Sequence, residues 1–231
     1  MPTQPVLVEG GVGEGGNEGK IIMTVILCYG DSNTHGTLPL ERLELQGRRH
    51  ALEERWPNVM AGMLGPGHLV IDEGLPGRTT VHDDLVEGGM RNGMTVLPAV
   101  LHSHRPIDLV MLMLGTNDLK QRFSVSAFEI ASSVERLVLT TRAEAVAKDI
   151  LIVAPVPVRE CGSLAVVFAG AEVRQAKLTS YLADMAERRG CGFFDAGSVI
   201  EVSPLDGVHF GADAHATLGQ ALAQAVLDRL R

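Results

Sequence analysis

A chain of 231 residues is long enough to bury a sizeable apolar core without metal or disulfide support, and it fits one domain. Its 20 Lys and Arg against 28 Asp and Glu leave a net charge of -8, which excludes an electrostatic grip on nucleic-acid phosphates or anionic lipid. Three cysteines, Cys28, Cys161 and Cys191, lack CxxC spacing, which argues against a disulfide framework or a zinc cluster and points to reduced thiols in the cytoplasm.

The N-terminal residues 1–22 carry six glycines between Gly10 and Gly19, too flexible to fold alone, so this segment is expected to be an extension and residues 23–231 a single domain. It has neither a basic start nor a continuous apolar stretch and does not read as a signal peptide, and no later run approaches the ~20 apolar residues of a membrane span. Gly11-Val-Gly13-Glu-Gly15-Gly16 satisfies GxGxxG, but that pattern needs a helix behind it and Ile21–Tyr29 reads as strand.

From there apolar, strand-like runs recur at Val25–Tyr29, Leu69–Asp72, Leu109–Leu112, Ile150–Ala154 and Gly192–Phe194. Cys28 lies inside the first and reads as a small core residue. Helix-period segments alternate with them: Trp56–Leu64 with Pro57 in its first turn, Met94–His104 ended by Pro106, Ser126–Ala147, Glu172–Arg189 ended by Gly190, and Ala212–Leu230. Because the strand runs are nearly all apolar rather than alternating, the pattern predicts a five-stranded parallel sheet covered on both faces, a three-layer α/β/α sandwich.

Chemistry-bearing strings follow four of the five strands. Gly30-Asp31-Ser32-Asn33 and Asp206-Gly207-Val208-His209 supply a serine, a histidine and a carboxylate. A serine hydroxyl needs a neighbouring imidazole to take its proton, and the imidazole needs an acceptor on its other nitrogen, roles that Ser32, His209 and Asp206 fit. Acyl transfer also needs donors aimed at the developing oxyanion; the Ser32 N–H, the Gly77 N–H after the second strand and the Asn117 amide after the third are candidates. Taken singly each string is also an ordinary turn. Their falling in order, each behind its own strand, favours a site.

On these residues the chain from about Val25 onward resembles the SGNH hydrolases, also called the GDSL family. Gly30-Asp31-Ser32 matches that family's first block, Gly77 its second, Gly115-Thr116-Asn117-Asp118 its third and Asp206-Gly207-Val208-His209 its last. Asn33 departs from the pattern, standing where the family name implies leucine, and is expected to affect acyl preference from within the substrate pocket. The strings Glu73–Thr80, Met113–Lys120 and Phe193–Ile200 look like the arylesterase and acyltransferase subgroup. That resemblance implies a flavodoxin-like fold, cleavage of short-chain esters of phenols and simple alcohols, acyl transfer to alcohols or peroxide as a side activity, and a homo-oligomer.

The loop Pro155–Gly170, with Val156, Leu164, Val166, Val167 and Phe168, is expected to form either a pocket wall, Phe168 included, or a subunit interface. Arg78 and Lys120 flank the proposed donors and read either as a hold on an anionic substrate or as structural ion pairs. GxSxG and HExxH do not occur, and His102-Ser-His104 and His82-Asp83-Asp84 read as solvated polar surface rather than metal ligands. The resulting expectation is a cofactor-free, metal-free serine ester hydrolase acting on a small-molecule ester. Its rivals are a deacetylase or thioesterase for one acylated metabolite and a non-catalytic ligand-binding module.

Overall fold

The computed structural model describes residues 23–42 and 47–231, so the expected extension over residues 1–22 lies outside the described part. Five strands, Thr24–Gly30 (β1), His68–Gly74 (β2), Ile107–Met113 (β3), Ala147–Ala154 (β4) and Gly192–Asp195 (β5), pair in parallel in the order β2-β1-β3-β4-β5. Helices Ser32–His35 (α1), Trp56–Leu64 (α2), Gly93–His104 (α3), Ala127–Glu144 (α4), Ala171–Arg174 (α5), Leu178–Arg189 (α6) and Ala212–Leu230 (α7) connect or follow them.

The two-residue period of a strand divides the core. Along β1, Val25, Leu27 and Tyr29 enter one apolar cluster with Leu97 and Leu101 of α3, Ile130, Val134 and Leu137 of α4, and Leu182 and Met185 of α6. Ile26 and Cys28 enter the other, with Trp56 and Met60 of α2 and Leu218, Leu222 and Val226 of α7. Both faces of the sheet are therefore covered, as the unbroken apolar runs require. Gly219 lets α7 approach α2 closely, since a Cβ there would stand 2.7 Å from the Trp56 carbonyl oxygen. No helix among the described residues is long and apolar enough to cross a membrane.

Two helices differ from their expected spans. The segment expected as one helix over Glu172–Arg189 is two, α5 and α6, broken by Lys177 in the left-handed region at φ 70°. The Gln175 side chain at the break donates from Nε2 to the Val158 carbonyl (2.7 Å) and accepts the Val158 N–H at Oε1 (2.8 Å), so a tertiary clamp outweighs helical propensity there. The helix expected to run to Ala147 ends at Glu144, capped by Ala145 in the left-handed region at φ 53°, which frees Ala147 to start β4.

In this strand order the chain leaves β1 toward β2 and then crosses to β3, so the carboxyl ends of β1 and β3 flank the switch point where such sheets bind ligands. Ser32 follows β1 and Asn117 follows β3.

Candidate active site

β1 ends at Gly30, whose missing side chain gives room for the Thr34 hydroxyl: a Cβ would lie 2.0 Å from Thr34 Oγ1. Asp31 then caps α1 by accepting the Asn33 N–H at 2.9 Å, which places Ser32 in the first turn. Gly36, at φ 82°, closes the turn with its N–H on the Ser32 carbonyl.

The histidine arrives on a turn folded around one carboxylate. Asp206 Oδ1 accepts the N–H groups of Val208 and His209, both at 2.9 Å, and Oδ2 accepts the Leu40 N–H at 2.8 Å. Gly207 sits at φ 76°, and a Cβ there would stand 2.0 Å from the Arg159 carbonyl oxygen, so conformation and space both demand glycine. His209 Nδ1 lies 2.6 Å from Asp206 Oδ2 and Nε2 lies 3.0 Å from Ser32 Oγ. A carboxylate at Nδ1 fixes the proton on that nitrogen, so Nε2 accepts from the serine hydroxyl.

The electrostatics suit this arrangement. Burial pushes the Asp206 carboxyl upward, but the hydrogen bonds and charge of His209 and the N–H groups of His209 and Leu40 outweigh it, and the group stays below the ordinary carboxylate value. Asp206 is thus the charged partner of the imidazole. Asp31, fully buried one residue before the serine, goes the other way: desolvation lifts it to about 6 against the opposing Asn33 N–H and the charges of His209 and Arg78.

Ser32, His209, Gly77 and Asn117 all line one cavity of about 530 Å³. Gly77 stands at φ 78°. Asn117 Nδ2 donates to the Arg78 carbonyl at 3.1 Å, and buried Asp118 accepts the Thr80 N–H at 3.0 Å and the Thr80 hydroxyl, so the loops bearing Gly77 and Asn117 are joined. The N–H groups of Ser32 and Gly77 have no acceptor among the described residues. The set can therefore take a proton from a nucleophilic hydroxyl and offer donors to a nearby oxygen.

Phe168, Leu164 and Val167 line the cavity, whereas Val156 is buried in the core beneath the sheet and Val166 is 81% exposed. Asn33 does not line it. Its Nδ2 donates to the Val208 carbonyl at 3.1 Å, so in place of the expected pocket residue it is a buried tie between the serine and histidine segments. Arg78 is also structural: it donates from Nη1 to the carbonyls of Gly30 (2.8 Å) and Glu73 and lies over the Tyr29 ring. Lys120 pairs with Asp84 and Glu87. Burial raises the Cys28 thiol far above its usual range, as suits a core position. His102 and His104 pair with Glu144 and Glu73, and no three His, Cys, Asp or Glu side chains among the described residues converge as metal ligands.

Sequence reasoning did not reach Leu40, whose N–H supports Asp206, or Glu87 and Arg91, which line the cavity. All three come from loops whose composition carries no signal of a site.

Residues 28–217 match the model of a family described as GDSL-like Lipase/Acylhydrolase family. Among solved structures, a carbohydrate acetylesterase family member from Sinorhizobium meliloti is similar at 42% identity and TM-score 0.83, covering 90% of this chain and 99% of its own. Est24, a carbohydrate acetylesterase from the same organism, is similar at 36% identity and TM-score 0.83, covering 89% and 99%. The inhibitor-bound aryl esterase of M. smegmatis is similar at 36% identity and TM-score 0.82, also covering 89% and 99%. No curated protein matches the chain.

Proposed function

The chain belongs to the GDSL-like lipase/acylhydrolase family and is a carboxylic ester hydrolase, and from that premise we propose that Ser32, His209 and Asp206 carry the reaction on short-chain acyl esters of phenols and simple alcohols. The observation that supports this most is the unbroken hydrogen-bond chain from Asp206 through His209 to Ser32, opening on the cavity that also holds Gly77 and Asn117.

Ser32 Oγ attacks the ester carbonyl carbon as its proton passes to His209 Nε2, and Asp206 stabilises the resulting imidazolium. The N–H groups of Ser32 and Gly77 and the Asn117 amide hold the negative charge on the carbonyl oxygen. The C–O bond to the alcohol breaks, the leaving oxygen takes the proton from His209, and the acyl group stays on Ser32. Water then attacks the acyl carbon, giving its proton to His209; the bond to Ser32 Oγ breaks, Oγ takes that proton back and the acid leaves, while an alcohol or peroxide in place of water would give acyl transfer. Every step is a proton or acyl transfer, so the proposed cycle uses no cofactor.

Apolar Leu164, Val167 and Phe168 suit an acyl or aryl group. The homo-oligomer reading is supported by exposed Leu85, Val86 and Met90 on the loop that carries Glu87 and Arg91 into the cavity. The cytoplasmic reading rests on three unpaired cysteines. Serine-dependent turnover of phenyl acetate tests the proposal: a fluorophosphonate probe is expected to label Ser32 and stop hydrolysis, and hydrolysis that survives full labelling would remove the mechanism.

A further inference from the structure

The three groups assigned to the oxyanion stand on separate segments, after β1, β2 and β3, and one buried residue is bonded to all three. Arg78 donates from Nη1 to the Gly30 carbonyl at 2.8 Å, where β1 ends, and to the Glu73 carbonyl on β2. Its N–H donates to the Leu75 carbonyl at 3.0 Å and closes the turn Leu75-Pro76-Gly77-Arg78, with Pro second and a positive-φ Gly third. Its own carbonyl accepts from Asn117 Nδ2 at 3.1 Å.

Each bond constrains a different donor. The Gly30 carbonyl lies just before Asp31 and Ser32, and it takes the Leu75 N–H at 3.1 Å as well as Arg78 Nη1, so both ends of the Gly77 turn are fastened to the segment that leads into the nucleophile. The Arg78 carbonyl occupies one N–H of the Asn117 amide, which fixes the amide plane and leaves the second N–H for substrate. The guanidinium is itself held: it lies 4.1 Å from the centre of the Tyr29 ring, whose hydroxyl donates to the Gly93 carbonyl at 2.6 Å. Arg78 does not line the cavity, so it acts on a bound ester only through these neighbours.

We propose that Arg78 is the positioning residue of the oxyanion site, setting the spacing of the Ser32 N–H, the Gly77 N–H and the Asn117 amide so that all three address one oxygen; this rests on the ester-hydrolase mechanism above. Donors stabilise a developing oxyanion fully only when they are already in place as the charge forms, and a small misplacement is costly. Arginine suits the task because its planar guanidinium bonds carbonyls in its plane while an aromatic ring covers its face, which a lysine ammonium does not reproduce.

The test measures hydrolysis of phenyl acetate and its inhibition by phenylboronic acid, which adds to a serine hydroxyl as a tetrahedral anion and so reads the oxyanion site. Arg78→Met is expected to lower kcat on the order of 10²-fold, the worth of one oxyanion donor, with KM little changed and the Ki of phenylboronic acid raised in proportion to the loss in kcat/KM. In an Asn117→Ala background the same substitution is expected to cost less than about tenfold, because one of the donors it positions is already gone. Arg78→Lys is expected to recover part of the kcat, since an ammonium still donates to the Gly30 carbonyl. Where Arg78→Met does not fold, Arg78→Lys carries the same measurements at a smaller loss. A folded Arg78→Met with unmoved kcat, a kcat loss with unmoved Ki, or equal losses in both backgrounds overturns the proposal. Ser32→Ala separates the two levels: phenyl acetate turnover that survives it removes the esterase mechanism, whereas turnover that needs Ser32 but is indifferent to Arg78 removes only the positioning role.

Discussion

Asn33 Nδ2 donates to the carbonyl oxygen of Val208 at 3.1 Å, joining the residue after the serine to the residue before the histidine. The two segments are 175 positions apart in the chain, yet this bond and the Ser32–His209 contact at 3.0 Å hold them as one unit. Its closeness to the reacting groups makes Asn33 a positioning residue.

Asn33→Leu, which restores the residue implied by the family's usual string, is expected to leave the buried Val208 carbonyl without its side-chain donor. The cost is about 1–3 kcal/mol, read as a lower urea midpoint, with kcat falling more than KM changes because the Ser32–His209 distance loosens. An unmoved midpoint and kcat would show that the tie contributes nothing.

Ser32→Ala is expected to abolish turnover of a short aryl acetate while the melting temperature stays near that of the unaltered protein. Asp206→Asn is expected to lower kcat by about 10⁴, the loss seen when a triad carboxylate becomes an amide and the imidazole tautomer is no longer held. Because Asp206 also accepts three backbone N–H groups, its amide variant is expected to unfold at lower denaturant, a second readout of the same side chain.

Removing the Asn117 amide by Asn117→Ala is expected to lower kcat by ~10²–10³, the usual worth of one oxyanion donor, with little change in KM. Gly77→Ala is expected to lower it too, since its φ of 78° disfavours a side chain and the new methyl collides with Glu87 Oε2 at 2.6 Å. Steady-state kinetics on the purified variants checks both. Full activity in Asn117→Ala would reassign that residue to holding the Arg78 carbonyl.

Asp31 supplies a pH prediction with a definite sign. Its folded pKa of about 6 lies above the ordinary 3.8, so the folded state binds the proton more tightly than the unfolded state. Stability from this group is then complete below about pH 4 and declines as pH rises through 6, by up to about 3 kcal/mol. Asp31→Asn keeps a capping side chain and removes the buried charge, so its stability is expected to approach that of the unaltered protein at pH 4 and exceed it at pH 8. Urea titrations at the two pH values measure this. A gap that does not widen with pH would show that Asp31 is not raised.

Composition and local period were enough for the layered parallel fold, because all-apolar runs such as Val25–Tyr29 have no stable place except a sheet covered on both faces. They were also enough to nominate Ser32, Gly77, Asn117, Asp206 and His209, since each follows a strand and its residue type matches a chemical role. Tertiary structure alone decided the rest. It tied Asn33 to Val208, broke Glu172–Arg189 at the Gln175 clamp on Val158, fixed Arg78 to the Gly30 and Glu73 carbonyls and Lys120 to Asp84 and Glu87, and left Glu87 and Arg91 beside Gly77. The reason is physical: strand and helix preferences act between near neighbours with a fixed period, whereas these pairings join loops without period, and only the closed fold determines which donor finds which acceptor.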